Sequence, residues 1–424
     1  MARDRFRFAH LADAHIGAWA REPEVRAELR TTVLRALEIV EEQGCDFLLI
    51  SGDLFHVPVP DPAEAEPFAR ALKRLSDSGR RIYAIYGSHD YVAHRTSWLD
   101  VLAASGVFIK VAPEEVRAEG ERWTLPYLTD APTGVRIAGV SGRSHGYDRS
   151  HFLDMDATEF LSGEAFRIFQ FHAAIDDYLP EGLREHLHGL RAADLPAGCN
   201  YYAGGHVHLT YQGEGPGGGL LINPGAVFGT SRTDIEAIVL GRTVAGLSLV
   251  EVDGRQIRQQ MIPVARADRL HLIEVEANQR TAAEVAREVS EGIARAQDPA
   301  GLYFPRVRGK LGEPDLASAG LPALVREIGR GPGAVVLDLS EMESPAEGPN
   351  VPASEADLEI SVFGRLLAEH PPDGTDLTAP EALDTLRQLL RELGLPHSEG
   401  ESKRDYEGAR IREALRLLQL PAEE

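Results

Sequence analysis

Aspartate and histidine follow five predicted strands at the point where each strand ends, and this arrangement limits what the chain can fold into. In chain order the groups are Asp13-Ala-His15 after Arg5–Leu11, Gly52-Asp53-Leu-Phe-His56 after Asp46–Ser51, Gly87-Ser88-His89-Asp90 after Arg81–Tyr86, His172 after Arg167–Phe171, and Gly205-His206-Val-His208 after Tyr201–Gly204. Because parallel strands bring their carboxyl ends to one edge of a sheet, we expect these side chains to converge on a single rim.

Two amphipathic helices connect the first three strands. Pro23–Glu42 carries apolar residues near i, i+4 spacing, and Pro62–Ser76 repeats the pattern. The βαβαβ order predicts parallel strands with helices on both sides of the sheet, which is an α/β fold. Further on, Val239–Val252 and Ile257–Pro263 are predicted to be antiparallel strands that close the core.

Taken singly, these Asp and His groups are weak signals, because such residues often only make a turn. His186-Leu-His188 illustrates this, since it lies inside a predicted helix over Leu183–Leu190, where residues i and i+2 do not share a face. We interpret that pair as surface histidines. The order and placement of all five groups together carry the inference of a site.

The ligand types in these groups indicate a particular metal chemistry. Carboxylates and imidazoles without a thiolate favour Mn²⁺, Fe²⁺ or Zn²⁺ over Ca²⁺. Two such ions about 3.5–4 Å apart hold the attacking and leaving oxygens of an in-line displacement at phosphorus, and Asp53 is the best candidate to bridge them. The sequence therefore predicts a two-metal phosphoesterase that needs no serine or cysteine nucleophile.

The same motifs resemble those of the calcineurin-like metallophosphoesterase superfamily. The local sequences His-Leu-Ala-Asp-Ala-His-Ile-Gly at 10–17 and Ser-Gly-Asp-Leu-Phe-His at 51–56 are similar to its SbcD-type DNA-repair exonuclease branch. The resemblance is specific over about residues 6–240. It implies a two-sheet sandwich flanked by helices, with a small α+β capping domain, a helical C-terminal tail and two Mn²⁺ ions, with Fe²⁺ or Zn²⁺ as alternatives.

The resemblance also implies a role for each motif residue. Asp13, His15 and His208 would hold one ion, Asp53 would bridge, and His172 and His206 would hold the second. His89, oriented by Asp90, would act near the leaving oxygen, and His56 would lie close to the metals. Ser88 departs from the pattern, because the family has an asparagine there and a serine hydroxyl is a shorter and poorer ligand. We expect either a water in its place or weak binding of the second ion, although Ser88 could equally serve only the turn.

Beyond the core, the chain changes character twice. We divide it into a nuclease-like core over 1–265, an α+β unit over 266–340, a Glu-, Pro- and Ser-rich linker over 341–355 and a helical tail over 356–424. In the α+β unit we expect strands over His271–Val275, Phe304–Lys310 and Ala334–Leu339 and helices over Ala282–Ala296 and Leu321–Ile328. The tail helices carry leucine stripes.

DNA is the substrate that the resemblance favours. Arg306, Arg308 and Lys310 alternate on a predicted strand, so they share one face and are candidates for DNA contacts. The alternative is an edge strand that charge keeps soluble. The tail resembles the helices by which this branch docks an SbcC-type coiled-coil ABC ATPase, and packing on the chain's own core is the other ordinary fate of such stripes.

The net charge of −22 counts against a free-standing DNA binder, because phosphate neutralisation supplies most non-specific affinity. A partner ATPase would ease this conflict by supplying the main basic surface. The sequence has no apolar run long enough for a membrane span and no signal-peptide pattern, so we expect a cytoplasmic protein without membrane attachment.

The favoured hypothesis is a Mn²⁺-dependent DNA exonuclease and endonuclease that digests ends 3′ to 5′, a direction implied by the resemblance alone. In the branch two subunits pair through core helices, so we expect a homodimer through Pro62–Ser76 and Thr96–Ala104. One alternative keeps the chemistry and acts on a small phosphodiester or a phosphoprotein. The other is a scaffold whose activity has faded with the change at Ser88.

Overall fold

The computed structural model describes residues 3–91, 96–111, 122–142, 149–184, 189–312 and 333–342, and a few isolated positions nearer the C-terminus. The chain divides into two compact units, Met1–Ser344 and Pro345–Glu424, and the elements below belong to the first. The predicted helix 321–328, the pair His186 and His188, and almost all of the linker and the tail lie outside the described residues.

The first unit contains many short strands and a few longer helices. In chain order the strands are β1 (Arg5–Leu11), β2 (Phe47–Ser51), β3 (Arg81–Ile85), β4 (Ile109–Lys110), β5 (Trp123–Thr124), β6 (Tyr127–Thr129), β7 (Arg136–Val140), β8 (Met155–Asp156), β9 (Arg167–Phe171), β10 (Tyr201–Ala203), β11 (Tyr211–Glu214), β12 (Leu220–Asn223), β13 (Gly246–Asp253), β14 (Gln256–Pro263), β15 (Leu270–Glu276), β16 (Leu302–Arg308) and β17 (Ala334–Val335). The helices are α1 (Pro23–Glu42), α2 (Pro62–Asp77), α3 (Trp98–Ala104), α4 (Arg149–Leu153), α5 (Thr158–Leu161), α6 (Glu181–Arg184), α7 (Arg232–Val239) and α8 (Ala282–Ala296).

Two six-stranded sheets form the core. The first has the order β14-β13-β1-β2-β3-β4 and the second the order β11-β12-β10-β9-β7-β6. Within the first sheet β1 to β4 are parallel, and within the second β7, β9, β10 and β12 are parallel. The strands that carry the Asp and His groups therefore point the same way within each sheet.

Aromatic side chains pack the two sheets face to face. Phe8 of β1 stacks on Phe47 of β2 with ring centroids 5.0 Å apart, and its edge meets Tyr201 of the second sheet at 5.1 Å. The expected two-sheet sandwich is confirmed. The expectation of helices on both sides of the first parallel sheet is wrong, because its second face is covered by the other sheet; strands buried on both faces give the same continuous apolar run in either case.

Helices cover the outer face of the first sheet. α1 and α2 both begin at a proline, whose fixed φ suits the first helical turn. Val25, Leu29 and Val33 of α1 are buried against this face, and each contributes about 1.5–3 kcal/mol of hydrophobic stabilisation. Among the described helices none is long and apolar enough to cross a membrane.

One predicted strand is partly wrong. The segment predicted as a strand from Val239 instead begins with the last residue of α7, and β13 starts only at Gly246. The reason is local: Ser231 and Asp234 form a capping box that starts a helix, and Gly241, with φ of 66°, follows its end. This helix becomes important for the site.

A parallel sheet of order β15-β16-β17 packs with α8 into a small α+β unit. Its own apolar core contains Val275 of β15, Val285 and Val289 of α8, and Val307 of β16. The predicted last strand is shorter than expected, because regular pairing of β17 ends at Val335 and continues as isolated bridges of Arg306 with Asp338 and of Gly309 with Met342.

Candidate metal centre

The carboxyl ends of β1 and β2 in the first sheet and of β9 and β10 in the second bring the predicted ligands together. They form two triads, and within each triad the ligand atoms lie within 4.8 Å of one another: Asp13, His15 and His208 in the first, and Asp53, His172 and His206 in the second. These residues span most of the core in sequence. The structure thus assembles six of the predicted side chains from two sheets.

Asp53 belongs to the second triad and borders the first. Its Oδ2 is 3.1 Å from Nε2 of His172 and 3.7 Å from Nε2 of His15. In the first triad, Nε2 of His15 is 3.1 Å from Nε2 of His208 and 3.9 Å from Oδ1 of Asp13. One carboxylate oxygen therefore faces ligand nitrogens of both triads, which is the position that a bridging ligand requires.

Four of these ligands have a left-handed backbone. The φ values are 52° at Asp13, 44° at His15, 50° at Asp53 and 92° at His206. Non-glycine residues in such sparsely populated conformations cost about 1–3 kcal/mol each and persist only where surrounding bonds hold them. Here the two loops hold each other, because the Asp13 amide donates to Gly52 O at 3.1 Å and the His15 amide donates to Asp53 O at 3.0 Å. Strain concentrated on the ligands indicates a functional site.

Two glycines leave room for these ligands. A Cβ on Gly52 would lie 2.2 Å from Nδ1 of His172, and one on Gly87 would lie 2.0 Å from Oδ1 of Asp53. Neither position can carry a side chain without moving a ligand. The Gly-Asp and Gly-Ser pairs of the motifs are therefore required by close approach as well as by the turn.

Hydrogen bonds fix which nitrogen each imidazole offers. Nδ1 of His172 lies 2.8 Å from the carbonyl O of Ser51, which can only accept, so Nδ1 carries the proton and Nε2 faces Asp53. Nδ1 of His208 lies 2.9 Å from Oδ2 of Asp234, so its Nε2 faces His15. Such outer partners orient metal-binding histidines.

The electrostatics of the site favour a cation. Burial, together with the charge of Asp53, raises the pKa of Asp13 to about 6 against the opposing effect of His172 and His208. Burial also disfavours the charged form of His172, yet its ion pair with Asp53 outweighs this and raises the pKa to about 9. Burial lowers the pKa of His206 to about 3, so this imidazole is neutral at physiological pH. The two carboxylates and the neutral His206 can bind a cation directly, whereas His172 must release a proton to do so.

A pair of divalent cations fits this donor set. Every ligand atom is a carboxylate oxygen or an imidazole nitrogen, which suits borderline first-row metals. Both cysteines, Cys45 and Cys199, are buried elsewhere in the core, so no thiolate takes part. Asp13, His15 and His208 would hold one ion, His172 and His206 would hold the other, and Asp53 would contact both.

The remaining motif residues surround Asp53. The His89 amide donates to Asp53 Oδ1 at 2.8 Å, and the Ser88 hydroxyl donates to Asp53 Oδ2 at 3.3 Å. The His89 ring stacks on the His56 ring with centroids 5.1 Å apart, and its Nδ1 lies 2.8 Å from the carbonyl O of His56. His56 Nδ1 is 3.4 Å from Nδ1 of His15, so His56 and the His89 ring stacked on it lie beside the first triad.

Asp90 acts differently from the sequence-based expectation that it orients the His89 ring. It is buried, and its carboxylate accepts from the amides of Leu54 at 3.2 Å, Phe55 at 3.0 Å and Gly87 at 3.1 Å. The ring partner of His89 is the His56 carbonyl instead. Asp90 thus ties the loop after β2 to the loop after β3, and it reaches His89 only through the backbone.

The three basic side chains proposed to bind DNA lie in β16 and just after it. Two of them already form ion pairs with carboxylates of this chain. Arg306 is 2.9 Å from Asp338 and 3.1 Å from Glu341, and Arg308 is 2.8 Å from Glu341. Lys310 is exposed and has no ion pair within the part of the chain that the structure describes. The expected basic face is therefore largely neutralised by its own carboxylates.

Sequence reasoning missed Asp234, which holds His208. It lies 26 positions after its partner, on a helix that the apolar pattern does not reveal. The capping pattern Ser231-Arg-Thr-Asp234 was the available signal, because it marks a helix start.

The fold and donor set define a class of protein, a phosphoesterase domain with a dinuclear metal site between two sheets. Comparison with known families agrees: residues 6–209 match the calcineurin-like phosphoesterase family, and the chain contains a calcineurin-like metallophosphoesterase domain.

Several curated relatives share the name DNA double-strand break repair protein Mre11. The protein of Methanopyrus kandleri is 27% identical over 298 residues, which cover 68% of this chain and 63% of the relative. That of Archaeoglobus fulgidus is 26% identical over 296 residues, with coverage of 68% and 63%. That of Sulfolobus acidocaldarius is 24% identical, with coverage of 68% and 72%. This chain thus spans less than two thirds of the length of the first two relatives.

A solved structure, TT1561 of Thermus thermophilus, is 13% identical and covers 61% of this chain and 99% of its own. Its TM-score is 0.34, which is too low to support an inference.

Proposed function

We propose that this protein is a metal-dependent DNA nuclease that hydrolyses phosphodiester bonds at DNA ends, 3′ to 5′, and nicks single strands. The position of Asp53 between two triads carries the hydrolytic part of the proposal. The names of the relatives, which refer to DNA double-strand break repair, support DNA as the substrate.

Two bound divalent cations would supply positive charge to the phosphate and to the attacking water. The chain's own residues would do the rest. Since Nδ1 of His89 donates to the His56 carbonyl, Nε2 is the remaining ring nitrogen, and in the imidazolium form it would give its proton to the leaving oxygen and leave the ring neutral. Asp90 would keep His89 in reach by joining the two loops on which His56 and His89 lie.

Hydrolysis of a labelled DNA duplex, measured beside hydrolysis of bis-p-nitrophenyl phosphate in Mn²⁺, tests this proposal. His89→Ala should lower DNA cleavage by about 10²–10⁴-fold while Mn²⁺ binding persists. His271→Ala is the control, because His271 belongs to the α+β unit and pairs with Asp298.

Other outcomes of that experiment point to the other functions. Turnover of the small diester without DNA cleavage would indicate a small-molecule phosphodiesterase. Metal binding without turnover of either substrate would indicate a scaffold. Loss of metal binding in His89→Ala would contradict the role given to His89.

We propose Mn²⁺ as the preferred metal, because the donor set mixes two carboxylates with imidazoles and contains no thiolate. Cleavage rates with Mn²⁺, Fe²⁺, Zn²⁺ and Mg²⁺, each added to the metal-free protein, would test the preference. A higher rate with Mg²⁺ than with Mn²⁺ would contradict it.

We propose two protein partners in the cytoplasm. One is an SbcC-type coiled-coil ABC ATPase docked on the leucine-striped segment 356–424, a proposal that rests on the resemblance; co-purification with and without that segment tests it. The other is a second copy of this chain.

Exposed apolar side chains near α3 support the homodimer. Val57, Val59 and Val101 are 45%, 66% and 51% exposed, and the Trp98 amide of α3 donates to the carbonyl O of Pro58 between the first two. Val101→Glu should shift the mass in light scattering from dimer to monomer. The matched control is Leu153→Glu, at a residue 59% exposed on α4, and it should leave the dimer intact. A dimer that persists in Val101→Glu would exclude this surface.

A further inference from the structure

Helix α7 begins with a capping box whose carboxylate is held by several donors. Asp234 Oδ2 accepts from the amide of Thr230 at 2.8 Å and from the amide of Ser231 at 3.1 Å, and the Ser231 hydroxyl accepts from the Asp234 amide at 3.2 Å. A Cβ on Gly229 would lie 2.6 Å from the Cβ of Asp234, so the chain packs tightly there. The carboxylate therefore has a fixed position before any other partner is considered.

Capping alone does not account for the contact between Asp234 and His208. Asp234 Oδ2 lies 2.9 Å from Nδ1 of His208. The bond turns Nε2 of His208 toward His15 and Asp13.

The opposite face of α7 contacts the α+β unit. Residues i and i+4 share a helix face while i+2 lies on the other side, so Arg232 and Glu236 point away from Asp234. The Arg232 guanidinium donates to the carbonyl O of Phe304 in β16 and to Glu274 Oε1 in β15 at 2.7 Å. Glu236 Oε2 is 3.6 Å from Arg306 in β16. One helical turn thus connects the α+β unit to His208.

We propose that Asp234 is a positioning residue for His208. We also propose that, through α7, the position of Asp234 depends on the contacts that Arg232 makes with the α+β unit. The inference rests on the proposed function only in taking His208 as a metal ligand. It predicts that a residue with no contact to any ligand, Arg232, changes metal affinity.

Titration calorimetry of the metal-free full chain with Mn²⁺ tests the proposal. Asp234→Ala should weaken one of the two binding events by about 10–100-fold, the effect usual for outer partners of metal ligands. Asp234→Asn, which keeps an acceptor, should recover part of the loss. Arg232→Leu should weaken the same event by about 2–30-fold, the range of coupling through packed elements.

The control is Glu284→Ala in α8, which removes an equivalent capping-box carboxylate that faces no histidine ligand. It should leave both binding events unchanged. A second readout needs no metal: ¹⁵N-histidine spectra recorded at alkaline pH, where the imidazole is neutral, should show His208 protonated at Nδ1 in the wild type and a mixed tautomer in Asp234→Ala.

Each outcome decides something. Unchanged Mn²⁺ affinity in both Asp234 variants, with the wild-type tautomer, would overturn the positioning role. A normal affinity in Arg232→Leu would overturn the coupling through α7. If Asp234→Ala does not fold, the Mn²⁺ affinity and the ¹⁵N-histidine spectrum of Asp234→Asn decide the question. Absence of Mn²⁺ binding by the wild type would overturn the proposed function instead.

Discussion

Ser88 lies beside the carboxylate that faces both triads, and its hydroxyl donates to Asp53 rather than offering an amide oxygen to an ion. An asparagine there would reach further and supply a neutral oxygen ligand. We therefore expect Ser88→Asn to bind the more weakly held Mn²⁺ about tenfold more tightly than the wild type, as measured by calorimetry. Ser105→Asn, at an exposed helix end, serves as the control. Equal binding midpoints would show that Ser88 serves only the turn.

His10 makes a second prediction at this scale. It is buried between the sheets, 3.0 Å from the hydroxyl of Tyr201 and 3.0 Å from the carbonyl O of Gly204, and burial lowers its pKa to about 3 despite the bond to Gly204. In the unfolded chain His10 therefore takes up a proton near pH 6.5, whereas in the folded protein it remains neutral at that pH. This makes the folded state less stable as pH falls below 6.5, by about 2 kcal/mol between pH 7 and pH 5.

Urea unfolding of metal-free protein at pH 7, 6 and 5 measures this effect. His10→Gln removes the titrating group, so its free energy of unfolding should fall less over this range than that of the wild type, by about 2 kcal/mol. The other histidines contribute equally to both proteins and cancel. Parallel curves for the two proteins would mean that His10 is protonated in the fold.

At the scale of elements, the cations in and after β16 are expected to have two different roles, one in the stability of the fold and one in DNA binding. Arg306 is 13% exposed and meets Asp338, Glu341 and Glu236, so its removal takes one cation from three carboxylates. Asp338 keeps Arg232 at 3.4 Å and Glu341 keeps Arg308 at 2.8 Å, which limits the loss. Arg306→Met should lower the free energy of unfolding by about 1–3 kcal/mol. Lys310, which is exposed, should act on DNA instead.

DNA binding measured over a series of salt concentrations distinguishes the two residues. Lys310→Ala should reduce the slope of log affinity against log salt by about one, with little change in stability. Arg308 resembles Arg306 in part, because its charge is also paired, with Glu274 at 3.2 Å and with Glu341. An unchanged slope in Lys310→Ala would show that Lys310 is a charged surface residue without a role in DNA binding.

Elements also show what the sequence can and cannot predict. α1 matches its predicted bounds, because proline and apolar spacing are local signals. α7 was missed because it is short and the capping box at its start is the main sequence signal for it. The alternation of Arg306 and Arg308 was visible in the sequence. The partner of Arg306, however, is Asp338, which lies 32 residues later and pairs through a parallel bridge that no local pattern reveals.

For the first unit as a whole, the sequence predicted the candidate metal ligands. It did not predict the residues and packing that hold those ligands in place. Asp13, Asp53 and His172 follow apolar runs, so strand ends alone indicate where they meet. Asp90 was expected to orient the His89 ring because the two are adjacent, whereas two of its three amide partners, Leu54 and Phe55, belong to a loop 36 and 35 residues earlier. That a second sheet covers the first depends on aromatic packing between strands far apart in sequence, which a continuous apolar run does not specify.

Metal should therefore stabilise this unit as well as serve its chemistry, because strained ligand backbones and crowded carboxylates exist only in the folded chain. A ligand that binds the folded state at 100 times its dissociation constant adds about 2.7 kcal/mol. Mn²⁺ should raise the thermal unfolding midpoint of wild type, and EDTA should reverse the rise. Asp53→Asn should lose most of the response, because Asp53 faces both triads, whereas Asp268→Asn, at an exposed residue paired with Arg266, should keep it. Equal responses in the two variants would mean that Mn²⁺ binds outside the triads.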